Sequence, residues 1–546
     1  MTAAATSRSF DTLIRNGAIF DGSGDEPRVA DIGIAGDRIA AVGMLADATA
    51  GTTIDARGMA VAPGFINTLS HSYFSILQDP RSLGELKQGV TLQIFGEGNS
   101  MGPLTTEMHA RMQKNQPDDL RIEVPWRTLA EYLAHAEKTG VSQNVASYIG
   151  ATTLRIHAVG QDDRPATAAE LDVMRGLVRD EMSAGALGIG SSLIYPPAFF
   201  ASTEELIELC RAAAPYGGKY ISHMRDEGNA LIESVEELLR ISREGGVPAE
   251  IYHLKQAGKE NWHKLETVIE MVEKARAGGA PITADMYTYT AGATGLSNSI
   301  PPRFHDGGPE KLFERIADPA TRREIHEAIA NSRDGWENLY LASGGANGVL
   351  ILSTRKDEHR VYQGKTVAEM AKMMGVDDPI DALMDLVLAD RSRVDTAYFS
   401  MSEDNVRRQI TLPWMAFGSD ASSTAAEGAF LKRSTHPRAY GNFARLLGRY
   451  VREERIIPLA EAIRRLTRLP ADNLGLDHRG RIEERYFADV VVFDPETISD
   501  RATWSEPHQY AVGVRDVLVN GTPALRDGEP TGALPGRAVY GPGRTR

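Results

Sequence analysis

Residues 219–258 read KYISHMRDEGNALIESVEELLRISREGGVPAEIYHLKQAG. Two short apolar runs, KYISH and AEIYH, each end in a histidine, His223 and His253. Between them Leu231, Val235, Leu238, Leu239 and Ile241 recur at helical spacing, and Gly245-Gly246 stops the run. The pattern is strand–helix–strand. It sets both imidazoles at the carboxyl ends of neighbouring parallel strands, the end at which a β/α barrel does its chemistry. Two neutral imidazoles there suit a metal ion. From this stretch alone, two buried, hydrogen-bonded histidines without an ion read equally well.

The same texture continues on both sides. GFINTLSH, TLQIFGE, NVASYIGA, ALGIGSSL, KYISH, AEIYHLK, ITADMYTY and WMAFGSD are strand candidates, with helical runs such as LDVMRGLVRDEMSAG and WHKLETVIEMVEKARAGG between several of them. Eight strands predict an α/β chain, a (β/α)8 TIM-type barrel over residues 63–475. Residues 291–355 are punctuated by Pro and Gly and carry helical pieces of their own. They read as an insertion on the active-site face, a lid over the site. The two ends of the chain have β-branched runs separated by turn residues, as in VADIGIAGDRIAAVG and ADVVVFD. Residues 1–62 and 476–546 are therefore expected to pair into one small β-sandwich domain.

At 546 residues, the chain is long enough for a large core and more than one domain. A formal net charge of −14 argues against nucleic acid as a partner. No apolar run is long enough to span a bilayer, and Met1 to Ser9 has no apolar signal core. The expectation is a cytoplasmic enzyme with a small-molecule substrate and no membrane partner, with homo-oligomerisation left open. Cys210, the single cysteine, sits in the helical run TEELIELCRAAA and reads as packing.

Two carboxylates compete for chemistry. Asp420 ends the last barrel strand in WMAFGSDAS, where a general base towards an activated water would stand; a turn or helix-capping aspartate fits the same residues. Glu97 lies between glycines in TLQIFGEGNSMGPL, an unusual choice for a plain turn, though an exposed loop residue is the alternative.

The residues VAPGFIN at 61–67, QGVT at 88–91, GALGIGSSLIYPP at 185–197, YISHMRDEG at 220–228 and HLKQAG at 253–258 carry a resemblance. So do DMYTYTA at 285–291, GSDAS at 418–422, HPRAYGNFARLLGRY at 436–450 and ADVVVFDP at 488–495. Together they resemble the D-aminoacylase (N-acyl-D-amino-acid deacylase) branch of the metal-dependent amidohydrolases. YISHMRDEG, LIYPP and HPRAYG are the specific segments; VAPGF and ADVVVFDP mark only the wider superfamily. The resemblance implies a barrel plus a sandwich built from both termini, with zinc on His223 and His253 and Asp420 as general base. It implies substrate-carboxylate binding by Tyr195, Lys255, Tyr287 or Tyr289, and Arg438. His436, which opens HPRAYG, is a candidate for the pocket wall.

Two departures matter. Where the family's first barrel strand usually ends in Asp-x-His-x-His, this chain has Asn67, Leu69 and His71. Leucine ligates no metal, so a second metal held by paired histidines is not expected. His71 is either a remnant of that site or a packing residue. At the second strand, the Gly96-Glu97-Gly98-Asn99 run stands where the family has a cysteine. A carboxylate is a sound zinc ligand. The economical expectation is one zinc per chain on Glu97, His223 and His253, with another divalent metal chemically possible. The implied reaction is hydrolysis of an N-acyl amino acid, the D form by resemblance, by a zinc-activated water. Cyclic amide or lactone hydrolysis and a catalytically degenerate relative are the alternatives.

Overall fold

The computed structural model describes residues 8–545. Its centre is a ring of eight parallel strands: β1 (Phe65–Asn67), β2 (Val90–Phe95), β3 (Asn144–Ser147, resumed at Ile149–Gly150), β4 (Gly188–Ser192), β5 (Lys219–His223), β6 (Ala249–Ile251), β7 (Ile282–Met286) and β8 (Met415–Phe417). Each pairs in parallel with the next. The ring closes where the Thr68 N–H donates to Phe417 O at 3.5 Å and Ser70 bridges Ala421 in parallel. Every candidate strand quoted above overlaps one of these strands. They are short, and nearly every residue is buried, as expected of parallel strands covered on both faces.

The helix Leu231–Gly245 shows why the β5–β6 unit forms. Leu231, Val235, Leu238 and Ile241 bury one stripe, and Gly246 ends the helix in the left-handed conformation (φ 70°) that favours glycine. At roughly 2 kcal/mol for each fully buried aliphatic side chain, that stripe is the main reason the helix docks.

The terminal domain is one nine-stranded sheet, mostly antiparallel, that draws on both ends of the chain. Ala60–Pro63 pairs antiparallel with Val490–Phe493, joining the N-terminal strands to the C-terminal ones. The long strand Ser9–Ile19 carries Thr49–Asp55 along its first half and Ala60–Pro63 at its end, so the expected sandwich is hydrogen-bonded as a single forked sheet. The tail departs from the expected domain. After Pro530 it leaves the sheet and runs along the barrel, where Val145 N–H donates to Arg537 O at 3.0 Å and Val539 N–H to Val145 O at 2.8 Å. The β3 edge thereby gains backbone partners that no neighbour in sequence provides.

The excursion after β7 is longer than its punctuation suggested. It builds an antiparallel sheet of Gly292–Gly295, Asp395–Tyr398 and Val349–Ser353, in that order, and a core containing Leu296, Ile316, Leu383 and Val387. The strand that closes this sheet lies beyond residue 355, so the chain rejoins the barrel only after Tyr398. Among the described residues, no helix is long and apolar enough to cross a membrane.

Candidate functional site

The barrel mouth opens into a cavity of about 820 Å³. His71, Glu97, Tyr195, His223, His253, Lys255, Tyr287, Asp420, His436 and Arg438 all border it. They come from the ends of seven strands and from one loop.

Glu97 stands at the centre. Its Oε1 lies 3.0 Å from His223 Nδ1 and 3.4 Å from His253 Nε2, and its Oε2 lies 3.0 Å from His71 Nε2. The flanking glycines explain how it gets there. Gly96 and Gly98 have φ of 109° and 65°, and a Cβ at Gly98 would meet Ser192 Oγ at 1.8 Å. Only glycine lets the chain turn this tightly against β4 and swing the carboxylate inward. His253 and Asp420 are also left-handed, at φ 33° and 47°. Non-glycine residues held there carry strain of order 1–3 kcal/mol, sustained by their surroundings. The His253 N–H donates to Asp285 at 2.6 Å and the Asp420 N–H to Leu69 O at 2.9 Å, which pins both turns.

Two groups of three ligand atoms lie within 4.8 Å of one another: Glu97, His223 and His253, and His71, Glu97 and Asp420. They share Glu97. The first, one carboxylate and two imidazoles, all buried, is a sound donor set for a catalytic zinc with an open position. Its electrostatics call for a cation. Burial pushes the His253 imidazole down, and so does Lys255. Glu227 and Glu97 outweigh them and raise it to about 10. For His71, burial again pushes down, and its hydrogen bonds to Asp420 and Glu97 raise it to about 10. Without metal the cluster keeps its positive charge as protons, which an ion would displace.

Leu69 is fully buried against Ile66, Leu92, Ile94 and Ile221, inside the barrel and away from the mouth. Asn67 uses its whole amide. Its Nδ2 donates to Glu85 at 2.6 Å and to Ser419 Oγ at 2.8 Å, and its Oδ1 accepts from the Ser419 and Leu69 N–H groups at 2.9 and 3.2 Å. This residue fastens β1 to the loop that carries Asp420.

The expected carboxylate binders are engaged with protein carboxylates. Lys255 Nζ lies 2.6 Å from Glu227 and 2.7 Å from His253 Nδ1. Arg438 Nη1 lies 2.8 Å from Asp420 Oδ2, while its buried Nε has no partner. Burial raises the Asp420 carboxyl, but Arg438 and His71 lower it to about 2. Burial pushes the Tyr287 phenol up to about 12 and the Tyr195 phenol well above its ordinary value. Both remain hydrogen-bond donors. Tyr195 packs on His223 with ring centroids 5.1 Å apart. Tyr289 does not border the cavity. It turns to Asp500 at 3.4 Å under Arg445; the strand ends at Met286, so past it the strand alternation no longer sets where Tyr289 points. His436 has both nitrogens engaged, Nε2 with Ala291 O at 2.9 Å and Nδ1 accepting from the Arg438 N–H at 3.0 Å. It braces the loop that carries Arg438.

Two site residues escaped the sequence reading. Glu227 is buried 3.2 Å from His223 Nε2 and 3.3 Å from His253 Nδ1, on the nitrogens turned away from Glu97. Burial raises its carboxyl, but His223, Lys255 and His253 hold it well below the usual range. Its place four residues after His223, inside YISHMRDEG, was the available signal. Glu337, from the excursion, accepts the Glu227 N–H at 2.6 Å. Burial, then the charges of Asp226 and Glu227, push its carboxyl well up. Nothing local in GWENLY announces it.

Residues 52–524 match the family described as the amidohydrolase family. A D-aminoacylase from Alcaligenes xylosoxydans xylosoxydans is 34% identical over 537 residues, 98% of each chain. Among solved structures, an N-acyl-D-glutamate deacylase from Bordetella bronchiseptica superposes with a TM-score of 0.80 at 30% identity, covering 98% of this chain and 100% of that one. That protein was solved with zinc and a phosphonate inhibitor that mimics the tetrahedral intermediate of its reaction. A D-aminoacylase structure concerned with the role of its binuclear metal centre gives a TM-score of 0.79 at 32% identity, covering 97% of this chain and 100% of that one.

Proposed function

The chain belongs to the amidohydrolase family, and on that premise we propose that it is a zinc-dependent hydrolase of N-acyl-D-amino acids. The observation that carries the reading is Glu97, whose two oxygens face His223 and His253 on one side and His71, beside Asp420, on the other. Glu97, His223 and His253 would hold the ion. Zinc there supplies a Lewis acid that lowers the pKa of water and polarises the amide carbonyl.

The residues of the chain do the rest. Asp420, kept ionised by Arg438, takes the proton of the attacking water and delivers it to the departing amine nitrogen. The C–N bond breaks as a C–O bond forms, leaving a carboxylic acid and a free amino acid. His71, 3.0 Å from both Asp420 and Glu97, fixes the orientation of the two carboxylates. Glu227 holds the far nitrogens of the two zinc-side imidazoles and positions the ligands. The unpartnered Arg438 Nε and the Tyr287 hydroxyl are the donors available to a substrate carboxylate. Leu69, which motivated the degenerate reading, leaves both groups of ligands intact.

The test is a panel of N-acetyl D- and L-amino acids with zinc measured on the same sample. The D compounds should be hydrolysed, a chelator should abolish the activity and zinc should restore it. Zinc-loaded protein that cleaves no member of the panel contradicts the reading.

A further inference from the structure

The cavity is larger than a short N-acyl amino acid needs. At roughly 30 Å³ per water-sized group, an N-acetyl amino acid of about a dozen non-hydrogen atoms takes less than half of 820 Å³. The surplus has a direction. Lys255, Tyr287 and Arg438, the cationic and hydroxyl side of the mouth, follow β6, β7 and β8. On a ring of eight strands, β2 and β3 lie across from β6 and β7. The segments after β2 and β3 supply the opposite wall, where an apolar group, Met101, Leu104, Met108, Met112, Leu120 and Ile156, borders the cavity beside the polar Arg111, Asn115 and Gln116.

That wall is built as a slot. Met101 and Leu104 are buried and border it. Met108 and Met112, four apart on the helix Thr106–Lys114, share one face, and that helix buries none of its residues. Its methionines are half-buried against the cavity. A substrate whose scissile carbonyl meets Glu97, His223 and His253, with its carboxylate towards Arg438 on the β8 side, directs its acyl group to the opposite, β2–β3 side, where the slot lies.

We propose that this slot binds a long unbranched acyl chain, and that the substrates are N-(medium- to long-chain acyl)-D-amino acids. The inference rests on the amide-hydrolase reading above and names its acyl group. Thioether side chains adapt to chains of different length.

The experiment compares zinc-loaded enzyme on acetyl, butanoyl, octanoyl and dodecanoyl derivatives of one D-amino acid, below their micelle concentrations. Each fully buried methylene is worth a factor of about four, so the six added from acetyl to octanoyl, about half buried, should raise kcat/KM by roughly a hundredfold. Met108→Glu and Met112→Glu, on a solvent-facing helix, should remove most of that gain and leave the acetyl compound unchanged. Cleavage of the acetyl compound with no gain on lengthening overturns the slot while the hydrolase reading stands. Equal loss on both substrates in the variants, or loss on neither, also overturns it. Cleavage of no compound in the series overturns both readings together.

Discussion

Strands β5 and β1 end at the same mouth but are put to different uses. At β5 the last residue of the strand, His223, points into the site, and the matching turn after β6 delivers His253. At β1 the side chains that would have been an aspartate and a histidine are Asn67 and Leu69. Asn67 closes the ring through Ser419, Leu69 fills the core, and only His71 reaches the mouth. One strand end serves chemistry and the other serves closure. When a motif loses a ligand, the destination of the replaced side chain shows whether the site was lost or its load moved. On the proposed reading the load falls on Glu97, which both groups of candidate ligands share.

The largest expected effect breaks the β5–β6 side. His223→Ala and His253→Ala should each lose zinc and activity together, since two remaining protein ligands make no tight site. Elemental analysis showing full zinc in either variant would place the ion elsewhere. Next comes the β8 side. Asp420→Asn should keep most of the zinc and drop kcat by roughly 10²–10⁴-fold. Loss of zinc in that variant would make Asp420 a ligand.

Glu227→Gln probes the support beneath the histidines. It should weaken zinc affinity or kcat by roughly 10–100-fold. The affinity change, read by competition with a chelator, is the readout that a general loss of folding would not give on its own. Wild-type affinity and kcat would remove Glu227 from the account.

The strand ends, and the residues on them, are legible in sequence because alternation and helical spacing are local. KYISH to AEIYH needs only the stripe of Leu231, Val235, Leu238 and Ile241 to be read correctly. Glu97 is legible for a related reason, because a glutamate between two glycines signals a turn with a purpose. What local pattern does not carry is pairing across the barrel. That Lys255 lies on Glu227, that Arg438 lies on Asp420, and that Glu337 arrives from the excursion depend on contacts 18 to 110 residues apart. The excursion's end is hidden because its closing strand, Asp395–Tyr398, is short and carries no turn signal that separates it from the barrel. The tail is hidden because Arg537 and Val539 satisfy β3 through their backbone, which side-chain patterns do not record.

A smaller effect is expected from pH. In the metal-free protein, His71 and His253 are raised from 6.5 to about 10. A group raised on folding stabilises fully below its unfolded value, and that contribution is lost as pH rises through the folded value. Metal-free protein should therefore lose thermal stability between pH 6.5 and about 10, and zinc-loaded protein should lose less. Zinc uptake at pH 7 should release protons, measured as a buffer-dependent heat. A buffer-independent heat would mean that the imidazoles are already neutral.

The most direct test of the central claim is the zinc content and kcat of Glu97→Gln. The amide keeps the shape and removes the charge that His223, His253 and His71 share. Zinc should be lost on mild dialysis and activity with it, with Glu97→Asp recovering part of both. If Glu97→Gln retains wild-type zinc and kcat, Glu97 is not the shared ligand, and the site has been assigned to the wrong carboxylate.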